Sequence, residues 1–266
     1  MMDVTINGQH LRVKEGSTIL QAAETAGIKI PTLCYHKALS WYGACRICLV
    51  EISMNGGSEI QASCQYKVQP GMIVRTDSER VIRTRKIMVE LLLARCPNSK
   101  EIRELADELG ITGTRFPKRD EDCLLCGLCV RVCQEVIGVS AIGFINRGTE
   151  RQVSTPYQIH SDVCLGCGGC AFICPIGAIK IEDKDDKRLI ENWKTELRLN
   201  KCKTCGSPFA PEIELRLLQE KVKNPAPEWL ELCPDCRRKN MSNKVKTLKT
   251  GRREAYLALS SLSRPG

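Results

Sequence analysis

The sequence predicts an α+β protein built of several small modules around metal centres. The chain has 266 residues, more than one typical domain, so two or three compact units are expected. Its first 78 residues alternate short strand patterns with one short helix. Twelve of its 17 cysteines lie in C-x-x-C groups, a spacing typical of metal ligands rather than of disulfides.

The first module is predicted over residues 1–78. Residues 3–14 form a hairpin pattern, because apolar residues alternate on both sides of an Asn7-Gly8 turn. A short helix follows, with Thr18 and Gln21 as a capping box at its start. Further strands are predicted at 49–52, 60–63 and 72–75. This order describes a small α+β domain.

Residues 79–117 are predicted to link two modules. A helix is expected over 79–95, with the polar faces assigned to Arg80, Arg83, Arg85 and Lys86. Its apolar stripe is assigned to Val81, Ile82, Ile87, Met88, Leu91 and Leu92. Residues 105–109, followed by Gly110, predict a second short helix and its end.

A repeated C-x2-C-x2-C-x3-C run is the most specific signal in the sequence. The run comprises Cys123, Cys126, Cys129 and Cys133, and it recurs as Cys164, Cys167, Cys170 and Cys174. In such runs three cysteines bind one [4Fe-4S] cluster and the fourth binds the other cluster. The first cluster is therefore predicted on Cys123, Cys126, Cys129 and Cys174. The second is predicted on Cys164, Cys167, Cys170 and Cys133, and the domain spans 118–190.

A [2Fe-2S] cluster is predicted in the first module. Its four candidate ligands are Cys34, Cys45, Cys48 and Cys64. The first interval is longer than in plant-type ferredoxins. A zinc site is the alternative, since zinc also takes four thiolates. Structural zinc sites favour two C-x2-C knuckles, however, and only one is present here, so the two-iron cluster is the better interpretation.

The last cysteine set has the paired-knuckle form of a zinc ribbon. It consists of Cys202, Cys205, Cys233 and Cys236. Four thiolates without a histidine predict a closed, structural zinc site, expected within a unit at 191–240. A further iron-sulfur cluster and reversible dithiol chemistry are the alternatives. Residues 241–266 are expected to form a basic tail.

Beyond the spacing of the cysteines, several segments carry a family resemblance. They are 31–36, 43–51, 135–139 and 142–148. Residues 1–182 resemble the N-terminal iron-sulfur region of the large iron-sulfur subunit of respiratory complex I. They are also similar to the small diaphorase subunits of NAD-linked hydrogenases and formate dehydrogenases. The resemblance implies a β-grasp [2Fe-2S] domain followed by a two-cluster ferredoxin domain. These would pass electrons from a flavin-bearing, NADH-binding subunit toward a catalytic subunit.

The chain departs from that family between its two modules. Family members usually have a further [4Fe-4S] cluster there, held by one His and three Cys. Here no His lies between His36 and His160, and the stretch offers only Cys96, so this cluster is predicted to be absent. Cys96 is interpreted as a free buried thiol, with a remnant ligand completed by another chain as the alternative. His36 and His160 are interpreted as packing groups near the sites rather than ligands.

The positive net charge is only weak evidence for a nucleic-acid partner, because bound clusters would cancel much of it. The formal charge is +9, but an oxidised cluster with four cysteine ligands carries roughly −2. Three clusters bring the balance to about +3. A local run from Arg237 to Arg253 keeps eight Lys or Arg and no acid, which is typical of a solvated terminus.

Two absences in the sequence shape the expected function. There is no apolar run of about 18 residues and no secretory signal, which predicts a reducing cytoplasm. There is also no dinucleotide-binding glycine motif and no P-loop. We therefore expect a cytoplasmic electron-transfer subunit of an NAD(P)-linked multisubunit oxidoreductase that relays electrons rather than catalysing. The alternatives are a free polyferredoxin shuttle and a zinc-ribbon protein that binds nucleic acid.

Overall fold

The computed structural model describes residues 1–223 and 226–245. The chain forms two compact units. The first comprises residues 1–163 and 168–180, and the second comprises residues 164–167 and the described residues from Ile181 onward. The basic tail predicted for 241–266 lies mostly outside the described residues.

The N-terminal module is a five-stranded mixed sheet with one helix. Its strands are β1 (Met2–Ile6), β2 (Gln9–Val13), β3 (Leu49–Met54), β4 (Gly57–Ala62) and β5 (Met72–Arg75). The sheet order is β2-β1-β5-β3-β4. Strands β1 and β5 are parallel and the other neighbours are antiparallel. This arrangement agrees with the β-grasp fold that the resemblance implies.

Helix α1 (Ile19–Thr25) has the predicted capping box. The Gln21 N–H donates to Thr18 Oγ1 at 3.3 Å, and the Thr18 N–H donates to Gln21 Oε1 at 2.9 Å. Ile19, Leu20 and two alanines of the helix are buried in one core with the apolar residues of β1, β3 and β5. This core sets the position of the cysteine loops that leave the sheet.

Two helices connect this domain to the next cysteine-rich segment. Helix α2 covers Glu79–Arg95, as predicted, and α3 covers Lys100–Glu108, which begins five residues earlier than expected. The predicted apolar stripe of α2 is partly wrong, since Ile82 and Leu91 are exposed. Arg85, assigned to a polar face, is instead buried. The side chain of Arg85 finds backbone partners inside the protein, which periodicity cannot reveal.

The segment with the repeated cysteine run has little regular structure. Helix α4 (Leu128–Arg131) continues into a π-helical turn at Val132–Ile137. Strands β6 (Gly143–Ile145) and β7 (Gln152–Ser154) form an antiparallel pair, and α5 covers Gly169–Phe172. Both short helices begin at a left-handed glycine directly after a cysteine, Gly127 and Gly168. The sequence repeat is thus also a repeat of local backbone structure.

The second unit is built on a four-stranded antiparallel sheet. Its strands are β8 (Glu182–Lys184), β9 (Lys187–Ile190), β10 (Thr195–Lys201) and β11 (Pro208–Pro211), in the order β11-β10-β9-β8. Helices α6 (Glu212–Lys221) and α7 (Pro227–Glu231) follow, and residues 234–245 are helical. The sheet begins at Glu182, within the range that the sequence assigned to the two-cluster domain. Strand β8 is charged and exposed, so it carries no strand pattern.

Across the described residues, no helix combines the length and the apolar character needed to span a membrane.

Candidate metal centres

The predicted [2Fe-2S] ligands lie around one edge of the N-terminal sheet. Cys34 and Cys45 lie in the long loop between α1 and β3, Cys48 directly precedes β3, and Cys64 follows β4. All four side chains are buried. Loops that leave adjacent strands of one sheet therefore deliver all four thiols to the interior, where bulk water cannot reach them.

The four thiols form two pairs. The Cys45 thiol donates a hydrogen bond to the sulfur of Cys34, which lowers the pKa of Cys34 to about 6. The Cys64 thiol does the same for Cys48 and lowers its pKa to about 6. The same bonds, together with burial, raise the pKa values of Cys45 and Cys64. Two pairs of thiols match the two irons of a [2Fe-2S] cluster, which take two thiolates each, so the donor set fits this group.

A buried arginine supports the loop that carries Cys48. Arg85 Nε donates to the carbonyl of Ile47 at 3.0 Å, and Arg85 Nη2 donates to those of Leu49 at 2.9 Å and Thr76 at 3.2 Å. Burial lowers the pKa of this guanidinium. The two residues that flank Cys48 are thereby held by one side chain from α2.

A second arginine joins the [2Fe-2S] loop to the repeated cysteine run. Arg131, which lies between Cys129 and Cys133, is 7% exposed. Its Nη2 donates to the Cys34 carbonyl at 2.7 Å, its Nε donates to Gly127 at 3.3 Å, and its Nη1 donates to Ser40. Neither Arg85 nor Arg131 was predicted to support a cysteine loop. The position of Arg131 between two predicted cluster ligands, Cys129 and Cys133, was the one feature of the sequence that could have indicated its role.

Further polar and aromatic contacts close this junction. The backbone N–H of Ser40 donates to Glu135 Oε2 at 2.7 Å, and its hydroxyl donates to Oε1. The rings of Tyr42 and Phe144 stack with centroids 5.9 Å apart, and the Arg151 guanidinium lies 4.0 Å from the Phe144 centroid. Hydrogen bonds and aromatic contacts therefore join the loop that contains Cys34 and Cys45 to the segment with the repeated cysteine run.

The predicted ligands of the first [4Fe-4S] cluster all lie in the first unit. They are Cys123, Cys126, Cys129 and Cys174. The Leu125 N–H donates to Cys123 Sγ at 3.4 Å, and the Ala178 N–H donates to Cys174 Sγ at 3.3 Å. Burial raises the pKa of Cys126 to about 12 and also raises those of Cys123 and Cys129. Backbone N–H groups directed at sulfur suit a bound cluster, because they stabilise its negative charge.

The predicted ligands of the second [4Fe-4S] cluster are divided between the units. Cys133 and Cys170 belong to the first unit, while Cys164 and Cys167 belong to the second. The Ala141 N–H donates to Cys133 Sγ at 3.2 Å. Cys164 is buried and Cys167 is exposed. The ligand set of this cluster stays a prediction of the cysteine spacing.

The C-terminal cysteines converge on one point. The sulfurs of Cys202, Cys205, Cys233 and Cys236 all lie within 4.8 Å of one another. Sγ of Cys205 and Sγ of Cys233 are 3.7 Å apart. A regular tetrahedron with Zn–S of about 2.3 Å has sulfur-sulfur edges of about 3.8 Å. The spacing therefore fits a single ion held by four thiolates.

Local hydrogen bonds favour thiolates at this centre. The Cys233 N–H donates to Cys202 Sγ at 3.3 Å and lowers the pKa of Cys202 to about 6. The Ser207 hydroxyl and N–H lower the pKa of Cys205. Burial raises the pKa of Cys236 to about 12. Two of the four ligands are therefore prepared for a cation, which needs deprotonated sulfur.

The remaining candidates lie outside these sets. Cys96 is fully buried, as predicted, and desolvation raises the pKa of its thiol to about 12. His36 Nδ1 accepts a hydrogen bond from the Ala38 N–H at 3.3 Å. His160 Nε2 lies 3.7 Å from an Asp162 carboxylate oxygen. Both histidines thus have local partners within their own loops.

Comparison with known proteins identifies the two cysteine-rich segments. Residues 1–79 match a family described as 2Fe-2S iron-sulfur cluster binding domain, and residues 122–178 match a 4Fe-4S dicluster domain family. Both segments are iron-sulfur domains. We refer to them below as the [2Fe-2S] domain and the dicluster domain. The second unit from Ile181 onward lies beyond both matches.

Curated relatives share these domains. An NADH-quinone oxidoreductase subunit of Rhizobium meliloti is 37% identical over 206 residues, which cover 67% of this chain and 24% of the relative. An NADP-reducing hydrogenase subunit of Solidesulfovibrio fructosivorans is 34% identical over 211 residues, which cover 67% of this chain and 36% of the relative. The chain thus spans about a quarter to a third of the length of these relatives. The resemblance to complex I and hydrogenase iron-sulfur subunits is confirmed.

One solved structure is similar along most of the chain. It is a chain of the NAD+-reducing [NiFe]-hydrogenase in the H2-reduced state, with 25% sequence identity and a TM-score of 0.52. The match covers 81% of this chain and 94% of that chain. The mixed helix and sheet architecture of the two iron-sulfur domains is therefore shared with a hydrogenase subunit.

Proposed function

We propose that this chain is the iron-sulfur electron-transfer subunit of an NAD(P)-linked multisubunit oxidoreductase. It would relay electrons between a flavin-bearing, NADH-binding subunit and a catalytic subunit. The observation that carries the proposal is the junction at Arg131, where one side chain from the dicluster domain binds the backbone of the [2Fe-2S] loop at Cys34. Electron transfer between two clusters requires that the loops which bind them lie close together, as these loops do.

The residues of the chain supply binding, shielding and orientation for this function. Bound clusters supply one-electron chemistry, with potentials set by net charge, hydrogen bonds to sulfur and solvent exposure. The buried thiols of the [2Fe-2S] domain exclude water from their centre. Arg85 and Arg131 place positive charge beside it. Relatives named as NADH- and NADP-linked subunits support nicotinamide-linked partners for this chain.

The proposed cofactors are one [2Fe-2S] cluster, two [4Fe-4S] clusters and one zinc ion. The repeated cysteine run supports two cubanes, because eight cysteines in two runs supply four ligands to each. The sulfur spacing of the C-terminal centre supports zinc. Four irons of a cubane hold their thiolates farther apart, since the cluster itself lies between them. A reversible dithiol would leave two of the four convergent sulfurs without a role.

Metal analysis of the anaerobically purified chain tests the cofactor set. The proposal requires about 10 Fe and about one Zn per chain. About 14 Fe without Zn would instead mean a fourth cluster at the C-terminal centre. About 6 Fe would mean that only one cubane is present.

A dye-reduction assay tests the relay. The chain alone should not reduce an artificial dye with NADH, whereas addition of a flavin-bearing partner subunit should confer that activity. Robust turnover by the flavin-free single chain would overturn the proposal. The mass of the native protein separates the relay subunit from a free shuttle, because a shuttle would elute near 29.7 kDa. We propose a cytoplasmic location for this assembly.

A further inference from the structure

The sheet of the second unit packs directly on the loop between Cys164 and Cys167. Gly166, at the centre of that loop, has a left-handed φ of +64°. A Cβ at this position would lie 2.5 Å from Leu197 Cδ1 and 3.1 Å from Pro211 Cγ. The close approach of the sheet therefore leaves little room for a side chain at this position, and the backbone conformation favours glycine.

An arginine of the same sheet fixes the loop by hydrogen bonding. Arg188 Nη1 donates to the Gly166 carbonyl at 2.8 Å. Its Nε and Nη2 are held by the Asp183 carboxylate at 2.7 and 2.8 Å. Arg188 is the cross-strand partner of Leu197, so both side chains lie on one face of the sheet. We call this face, formed by Arg188, Leu197, Leu199 and Pro211, the loop seat.

The C-terminal cysteine centre fastens the two strands that complete the loop seat. Cys202 directly follows β10, and its N–H donates to the Ser207 carbonyl at 2.9 Å, which closes the knuckle before β11. The Lys203 N–H donates to the Glu231 carbonyl at 2.9 Å, and this bond ties the knuckle to the segment that carries Cys233. Leu197 of β10 and Pro211 of β11 therefore contact Gly166 from two strands that are connected by the knuckle of Cys202 and Cys205.

We propose that the metal at Cys202, Cys205, Cys233 and Cys236 holds the loop seat in place and thereby retains the [4Fe-4S] cluster that uses Cys164 and Cys167. This inference rests on the proposed metal and on the predicted cluster ligands. Metal binding supplies folding free energy where a small segment buries few apolar side chains, as around these four cysteines. The described apolar cluster at the centre consists of Leu232, Phe209 and three of the cysteines.

A metal-site variant is the first test. Cys205→Ser in the full chain replaces the exposed ligand. We expect zinc to be lost and iron to fall from about 10 to about 6 per chain. EPR of the reduced protein should lose the interaction between two [4Fe-4S] centres and keep the [2Fe-2S] signal. Retention of both interacting cubanes after loss of zinc would overturn the inference.

A second pair of variants tests the loop seat with the metal in place. Arg188→Met removes the bond to Gly166, and Arg198→Met is the matched control. Arg198 lies on the adjacent strand with an exposed side chain and an ion pair to Glu212 at 3.5 Å. Arg188→Met should keep one zinc while the cubane signal decays several-fold faster in air. Arg198→Met should behave as the unmodified chain, and equal decay of both variants would refute the loop seat.

These outcomes separate the inference from the proposed function. If the unmodified chain contains no zinc, the proposed metal itself is wrong. If zinc and about 10 Fe are present and Cys205→Ser loses only zinc, the cofactor proposal stands and the coupling fails.

Discussion

Arg85 and Arg131 share an uncommon placement for arginine. Each is a buried guanidinium whose partners are mainly backbone carbonyls beside cluster cysteines. Arginine is seldom fully buried without a partner, because desolvation of its charge is costly. The proposed [2Fe-2S] cluster would carry net negative charge and offset that cost, so the two cations and the cluster would stabilise one another.

Arg85 is expected to contribute to the stability of the [2Fe-2S] domain. Arg85→Met leaves the carbonyls of Ile47, Leu49 and Thr76 without this donor, so unfolding should become easier by about 2–4 kcal/mol. The midpoint of thermal unfolding should fall by several degrees. Arg83→Met, on the exposed side of the same helix, should change stability by at most about 0.5 kcal/mol. Equal effects would show that Arg85 has no special role.

Arg131 is expected to tune the [2Fe-2S] potential. Arg131→Met removes a buried positive charge beside Cys34, which makes addition of an electron less favourable. The midpoint potential should fall by on the order of 60 mV, a tenfold change for a one-electron couple. An EPR redox titration measures it. Arg131→Lys keeps the charge and should keep most of the potential. An unchanged potential in Arg131→Met would contradict this role.

At the scale of elements, turns and helix ends could be predicted from neighbouring residues, whereas burial by residues distant in sequence could not. The hairpin and the capped helix α1 were predictable, since turns and caps depend on neighbouring residues. The full extent of α2 was predictable for the same reason. Its buried face was not, because Arg85 is buried by partners 9 and 36 or more residues away in sequence. Strand β8 was missed because its residues are charged and exposed.

The start of α4 gives a prediction at this scale. Gly127 has a φ of +70°, and a Cβ there would lie 3.1 Å from Phe144 Cζ and 3.2 Å from Tyr42 Cε1. Gly127→Ala should therefore disturb both the helix start and the aromatic stack. Gly138→Ala is the matched control, because its φ is +81° with nothing within 4 Å. The control should cost only the backbone strain of about 1 kcal/mol.

Thermal unfolding of both glycine variants, with iron content measured in parallel, tests this argument. Gly127→Ala should unfold at a lower temperature than Gly138→Ala and should bind less iron. The same unfolding temperature for both would mean that the space around Gly127 is not limiting.

At the scale of the whole molecule, candidate ligand sets could be proposed from the sequence, because each cysteine interval is itself the signal. The contacts of Arg131 with Ser40 and Cys34 could not, since they join residues 91 and 97 positions apart. The same holds for the contact between Gly166 and Pro211, which no motif connects. The sequence thus points to candidate metal ligands more readily than to the residues that support them.

Crossed ligation is expected in the dicluster domain. Cys133→Ala should damage the cluster of Cys164, Cys167 and Cys170 rather than the one formed by its nearest neighbours in sequence. EPR of the reduced variant should keep the signal of the first cubane. Loss of the cluster on Cys123, Cys126 and Cys129 alone would show that each run binds its own cluster.

All iron ligands of this chain are expected to be sulfur. The chain has three histidines, and those at 36 and 160 have local partners. Pulsed EPR of the reduced chain should show no nitrogen ligand on iron. A nitrogen-coupled cluster would mean that the His-ligated centre of the family is kept.

The loop between Cys164 and Cys167 belongs to the second unit, although the residues on both sides of it belong to the first. A ribosome releases the chain from its N-terminus. The N-terminal sheet has all of its strands once Arg75 has emerged, whereas the loop meets Pro211 only after some 45 further residues have been made. The order in which these two parts of the chain can fold therefore follows from the topology. The [2Fe-2S] domain can be complete before the loop between Cys164 and Cys167 meets its support, so insertion of the proposed cluster there would be a late event.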